Sequence, residues 1–275
     1  MKQILVPVDF SETSLNAARY ALKFARKVGG CITLLHAFMP PPVFPQYDGL
    51  LMNEAGMRDM HERNLKELAE KLHNEDIMIK VDAFVMDGHL SQAVRQFRSL
   101  KEVFMIVMGI TGAGKLKQTL IGSNTLDVAK HTQAPVLIIP EHAVYDDVTD
   151  IGLATDFREV AETIPEKNIR WVLDATGARL HVLNVDFEHA HANADTPFQS
   201  GLVETMFQQY APRYHFIDHP DIADALGQYA EKLSIEMLIV VPKKHHFIDR
   251  IFRGSATQKL VFHSRIPVLV MCNVA

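Results

Sequence analysis

Hydrophobic and polar positions alternate along the chain in two rhythms. Ile4–Val8 is a short, wholly apolar run ending at Asp9, as a strand buried on both faces reads. From Ser11 the period lengthens. Leu15, Ala18, Leu22, Ala25 and Val28 recur at helical spacing, Ser11 and Glu12 suit a helix start, and Gly29-Gly30 its stop. Cys31–Phe38 is a second apolar strand, and a loop with Pro40, Pro41, Pro42 and Pro45 follows it. Met57, Met60, Leu65, Leu68 and Leu72 predict a helix over about 50–73. Met78–Met86 then predicts a strand, Leu90–Leu100 a helix and Phe104–Met108 a strand. A helix over Ser123–His131 and a strand at Val136–Ile139 close the series. This βαβαβαβαβ order predicts an α/β fold, a parallel sheet covered by helices on both faces through right-handed crossovers.

The second half repeats the plan. Ala154-Thr155-Asp156-Phe157 echoes Pro7-Val8-Asp9-Phe10, and Leu180–Val185 answers Thr33–Ala37. Gly122-Ser123 lies 13 residues before Pro135-Val136-Leu137-Ile138, and Gly254-Ser255 lies 13 before Pro267-Val268-Leu269-Val270. The Asp residues are 147 apart and the Gly-Ser pairs 132 apart, so the second copy is 15 residues shorter in its middle. Two tandem domains over 1–143 and 144–275 explain this better than one large sheet, with the boundary in the charged stretch Glu141–Asp150. Val136–Ile139 and Val268–Met271 would be exposed apolar edges in isolated domains, so the two domains are expected to pair through these last strands. Further homodimerisation is compatible with this plan but has no residue to support it.

Composition narrows the class. The chain has 275 residues, 48% hydrophobic and 22% charged, which excludes collagen-like, low-complexity and disordered chains. A net charge of −5 provides no basic field for nucleic acid or an anionic membrane. No apolar stretch approaches the roughly 18–20 residues of a membrane span. Cys31 and Cys272 each lie in an apolar run, which argues against a disulfide framework and suits a reducing compartment. Asp9 comes too early for a signal-peptide core, so a cytoplasmic location is expected.

The candidate chemistry sits after the fourth strand, in Gly109-Ile110-Thr111-Gly112-Ala113-Gly114-Lys115, with Gly122-Ser123-Asn124 opening the next helix. Glycines at 109 and 112 allow close backbone approach of a ligand, and the helix N-terminus offers N–H groups and dipole to an anion. A phosphate chain fits between them. The bland alternative is a loop shaped by glycines and a helix capped by Ser123. Gly109–Lys115 also fits the start of a Walker A loop, but Leu116 stands where a magnesium-binding Ser or Thr belongs, and the helix starts seven residues too late. The spacing is not that of a Rossmann dinucleotide loop, and the segment follows the wrong strand.

Gly109-x2-Gly112-x9-Gly122-Ser123, together with Ile4–Ser11 and Pro135–Ile138, resembles the universal stress proteins of the ATP-binding branch, and the resemblance extends over both copies. It implies two doubly wound five-stranded parallel sheets of order 3-2-1-4-5, an adenine nucleotide alpha hydrolase-like fold. The nucleotide, ATP with magnesium, would lie at the C-terminal strand edges. By the same resemblance Asp9, after Pro7 and Val8, contacts the adenosine portion, and Ala37 meets adenine through its backbone. Met108 and Gly109 line the nucleoside, while Gly112, Gly122, Ser123 and Asn124 hold phosphates. Lys115 has no fixed role in the family and adds a mobile charge.

The second copy departs from this motif. Val241 and Lys244 replace its first two glycines, within Val241-Pro242-Lys243-Lys244-His245-His246, although Asp156 and Gly254-Ser255 remain. One nucleotide per chain is therefore expected, in the first domain. Fourteen histidines, including His189-x-His191 and His245-His246, lack partners at structural-zinc spacing. No nucleophile motif and no base for γ-phosphate hydrolysis stand out. The expected function is a nucleotide-dependent sensor or regulator in the stress response. Its alternatives are a slow ATPase or nucleotidyl-transfer enzyme, and a nucleotide-free interaction module.

Overall fold

The computed structural model describes residues 1–39, 54–110, 122–187, 195–241 and 266–271. Its first half runs β1 (Lys2–Pro7), α1 (Glu12–Val28), β2 (Gly30–Phe38), α2 (Glu54–Glu75), β3 (Val81–Asp87), α3 (Leu90–Leu100), β4 (Met105–Gly109), α4 (Ser123–His131) and β5 (Val136–Ile139). The second half runs β6 (Asp150–Ala154), α5 (Val160–Thr163), α6 (Glu166–Thr176), β7 (Arg179–Val185), α7 (Thr196–Phe207), β8 (Arg213–Ile217), α8 (Ile222–Lys232), β9 (Met237–Val240) and β10 (Val268–Val270).

Local signals place these elements where the periodicity does. Ser11 caps α1 by accepting from the Ser14 N–H, and Gly29 ends it in the left-handed region at φ 65°. One boundary moves. Ile77 and Met78 are exposed in a turn whose Met78 N–H donates to Asp76 Oδ1, so β3 starts only at Val81. An Asp side chain that satisfies a turn N–H outcompetes the strand there.

The strands form one ten-stranded sheet, ordered β3-β2-β1-β4-β5-β10-β9-β6-β7-β8. Each half has the order 3-2-1-4-5, all parallel within itself. The halves meet where β10 pairs antiparallel with β5, with Val268 opposite Ile138, Leu269 opposite Leu137 and Val270 opposite Val136. The expected pairing of last strands is thus present, and it removes two apolar edges. Apolar clusters cover both sheet faces. One gathers α1, α2 and α6 around Ile4, Leu34, Ile151 and Leu180, and the other gathers α3, α4 and α8 around Leu5, Ile106 and Leu238.

The stretch between the halves is docked on α1. Asn16 Nδ2 donates to the carbonyls of Pro140, Glu141 and Ala143 at 3.3, 3.2 and 2.9 Å. Tyr145 lies edge-on to Tyr20, ring centroids 5.1 Å apart, and burial raises its phenol to about 12. Lys2 Nζ sits 3.4 Å from the Trp171 ring centroid and 4.7 Å from that of Phe104, which ties β1 to α6 across the interface.

Candidate functional site

In a doubly wound sheet the crevice opens where neighbouring strands send their crossovers to opposite faces, here between the carboxyl ends of β1 and β4. A cavity of about 80 Å³ lies there. Pro7, Val8 and Asp9 enter it from β1, Ala37 from β2, Met108 and Gly109 from β4, and Asn124 from α4. Seven of the expected residues therefore converge from four elements. Ser14, Leu90 and Thr125 also line the cavity and were not among the expected residues. The volume lies below the roughly 300–1,000 Å³ of small-molecule pockets. Gly112 and Lys115 fall in 111–121, outside the described residues.

Each wall has a local cause. Val8 continues β1 by donating its N–H to the Leu35 carbonyl at 2.9 Å. The chain then turns sharply, with Phe10 at φ 62°, a strained position for a non-glycine residue. Asp9 Oδ1 steadies the turn by accepting from the Ser11 N–H at 3.1 Å and the Ser11 hydroxyl at 2.5 Å. Asp9 is exposed, so its carboxylate both holds the start of α1 and borders the cavity mouth. Beneath it, His36 Nδ1 lies 2.7 Å from the Val8 carbonyl. A carbonyl only accepts, so Nδ1 carries the hydrogen.

Gly109 has a packing reason for being glycine, whatever ligand it meets. A Cβ there would stand 2.7 Å from the Thr13 carbonyl oxygen and 2.9 Å from its carbon. The missing side chain makes room for the first turn of α1, so the space is already filled by backbone. The Gly109 carbonyl accepts from Thr125 Oγ1 at 2.9 Å, which pins α4 to the end of β4.

Gly122 is the N-cap of α4 and donates its N–H to the Ile110 carbonyl at 2.7 Å. Among the described residues no side-chain hydrogen bond caps this helix, in contrast with α1. Ser123 and Asn124 form its exposed first turn, with the partial positive charge of the helix end. This end suits an anion, and the apolar wall of Pro7, Val8 and Met108 suits a flat ring.

The second domain keeps the turn but not the edge. Phe157 has φ 51°, and Asp156 Oδ1 accepts from the Arg158 N–H at 3.1 Å. Asn184 Nδ2 donates to the Thr155 carbonyl at 2.9 Å, the place His36 holds below Val8. Val241 stands where the first domain has Gly109, and it is 8% exposed within the core cluster of Phe157, Val160 and Ile164. Lys244, Gly254 and Ser255 lie outside the described residues, as do His245 and His246. Among the described residues no three His, Cys, Asp or Glu side chains are grouped to hold a metal ion, and no helix is long and apolar enough to cross a membrane.

Comparison with known proteins fits this two-part architecture. The profile of the Universal stress protein family matches residues 1–140 and again 148–271. Two universal stress proteins of Methanocaldococcus jannaschii each match half of this chain. One is 26% identical over 145 residues, 81% of its own length, and the other 29% over 152 residues, 94% of its length. Among solved structures, a universal stress protein of Archaeoglobus fulgidus superposes with a TM-score of 0.70 at 20% identity, covering 98% of both chains. A functionally unknown protein of Pseudomonas aeruginosa superposes at 0.60 and 17% identity, covering 98% of this chain and 92% of its own. With two family matches over nearly its whole length, this chain belongs to the universal stress protein family.

Proposed function

We propose that the first domain binds an adenine nucleotide, ATP with its magnesium, and that its occupancy makes the protein a nucleotide-dependent regulator of a cytoplasmic stress response. The observation that supports this reading is the convergence of Pro7, Val8, Asp9, Ala37, Met108, Gly109 and Asn124 on one cavity beside the N-terminus of α4. The apolar wall would take the base, Asp9 would accept from ribose hydroxyls, and the first turn of α4 would meet phosphate. Gly112, Gly122 and Ser123 complete the phosphate side in this reading, with Lys115 as a mobile cation. Magnesium would come with the phosphates, which supply most of its oxygen ligands in such sites.

In the second domain the buried Val241 side chain takes the place of a glycine, so one nucleotide per chain is the reading. Titration calorimetry with ATP and magnesium, and mass spectrometry of ligand released from the purified protein, test it. The expected result is a stoichiometry of one in the parent and loss of binding in Gly112→Val with the circular dichroism unchanged. A stoichiometry of two, or full affinity in Gly112→Val, overturns it.

A further inference from the structure

A second concentration of polar chemistry lies at the opposite end of the second domain, at the start of β6. Asp150 and His181 are each 3% exposed, and His181 Nε2 lies 2.9 Å from Asp150 Oδ1. His181 Nδ1 lies 3.0 Å from Nε2 of His215 on β8. Arg179 donates to both Asp150 oxygens at 2.8 and 2.5 Å, and Thr149 Oγ1 donates to Oδ2 at 2.9 Å. These contacts hold the Asp150 carboxyl down at about 2, the Arg179 guanidinium foremost. Asp150 is therefore ionised, and an ionised carboxylate only accepts, so His181 Nε2 carries a hydrogen.

The geometry of the imidazole pair limits its charge. The ring centroids are 5.2 Å apart and the planes lie within 17°. With the nitrogens only 3.0 Å apart, the rings meet edge to edge and nearly coplanar. The two nitrogens face each other, and a single hydrogen fits between them. When the pair is neutral, His215 Nε2–H donates to His181 Nδ1. When the pair holds one added proton, His181 donates in both directions. A further proton sets two N–H groups head to head and opens the contact.

The neighbours resist that further proton. Arg213 on β8 and Lys232 at the end of α8 place positive charge near His215, while Arg179 on β7 is ion-paired with Asp150. Glu236, before β9, accepts from the N–H groups of Thr149 and Asp150. Burial, His181, Arg213 and Lys232, in that order, lower the pKa of His215 from 6.5. The first domain has no counterpart. At the matching positions Gln3 Nε2 donates to the buried Thr33 hydroxyl, a neutral pair with nothing to titrate.

We propose that Asp150, His181 and His215 form a proton-responsive latch that holds the outer strand β8 and helix α8 near neutral pH and loosens them on acidification. The latch belongs to the second domain and does not depend on nucleotide binding in the first. Its sign follows from linkage. A histidine with a lowered folded pKa contributes fully above its unfolded value near 6.5, and the contribution is lost as pH falls from there through the folded value.

Hydrogen exchange read by mass spectrometry on the full chain, from about pH 7.5 to about pH 5 and corrected for intrinsic exchange, tests the latch. Peptides spanning 213–232 should lose about tenfold in protection while peptides of β4 and β5 hold theirs. His215→Gln keeps an N–H donor toward His181 but cannot titrate, so its profile should be flat. A flat parent profile, or equal loss in His215→Gln, overturns the proposal. Should that variant not fold, imidazole nitrogen resonances of the parent decide. Coupled titration of His181 and His215 supports the latch, and independent titration refutes it.

Discussion

Both domains follow their first strand with Asp-Phe, the phenylalanine left-handed, φ 62° at Phe10 and 51° at Phe157. In both, the aspartate accepts from a backbone N–H two residues on, and a side chain from the second strand donates to the preceding carbonyl. Beyond this shared turn the copies diverge. The first runs straight into the 17-residue helix α1, whose Thr13 carbonyl presses on Gly109. The second breaks the matching helix at Ile164-Pro165, leaving four-residue α5 and then α6, and Val241 is buried there. Proline cannot donate within a helix, so the break is local in origin. The difference teaches that the missing glycine accompanies a rebuilt helix, so around Val241 the second domain has repacked its core.

Exchanging the residue at that position breaks the comparison most directly. Gly109→Val would force a side chain into the Thr13 backbone and should cost the fold about 3 kcal/mol, at the high end of overpacking. Urea unfolding followed by circular dichroism measures it, and an unchanged midpoint would show that α1 yields. The reverse change, Val241→Gly, should cost about 2–3 kcal/mol for a different reason, a lost buried side chain and a freer unfolded chain.

The opposite ends of β1 and β6 differ in kind of bond. Asp150→Ala leaves buried His181 without its acceptor, while Arg179, 60% exposed, regains water; the expected loss is about 2–3 kcal/mol. Gln3→Ala removes one neutral bond and should cost about 1 kcal/mol. Acid separates the two further. The Asp150 carboxyl is lowered from 3.8 to about 2, so its contribution is whole above 3.8 and lost as pH falls through about 2. Asp150→Asn should lack that acid-dependent component, and an acid unfolding curve parallel to the parent's would count against it.

The sequence reveals these features unevenly. Helix α1 was legible because its period, Ser11 and Gly29 all agree, and the strand ends were legible because apolar runs stop at Asp9 and Asp156. Of the cavity residues, Gly109 and Asn124 were legible from the glycine loop and the helix start, while Pro7, Val8, Asp9, Ala37 and Met108 were legible only through family resemblance. Gly109 was visible but its reason was not. A glycine reads the same whether its missing Cβ clears a ligand or a helix turn. Thr125 was missed because a hydroxyl donating to the carbonyl 16 residues away leaves no local trace. The Asp150–His181–His215 chain was invisible for the same reason at longer range, 31 and 34 residues apart, joined only by strand register.

Between the domains the comparison can be sharpened by loosening what binds them. Asn16→Ala removes a side chain that gathers three linker carbonyls and should cost about 1 kcal/mol. Limited proteolysis within 141–149 should quicken by roughly the matching factor of five, if cleavage follows local opening. Equal cleavage rates would mean that Tyr145 alone docks the linker.

The smallest effect concerns Lys2, whose ammonium lies 3.4 Å from the centroid of Trp171. Burial lowers its pKa, as expected for a charge held against rings instead of water. Lys2→Met keeps the length and apolar stem of the side chain but removes the charge. The surface position limits the loss to about 0.5–1 kcal/mol. Trp171 is the sole tryptophan of the chain, so its fluorescence reports this contact without interference. In the parent, emission should change with the opening of the interface at lower urea than the main loss of ellipticity. In Lys2→Met the emission transition should shift to still lower urea while the ellipticity transition stays in place. Coincident shifts of both signals would mean that the ten-stranded sheet unfolds as one unit, with β5 and β10 carrying the coupling and the Lys2–Trp171 contact adding nothing separate.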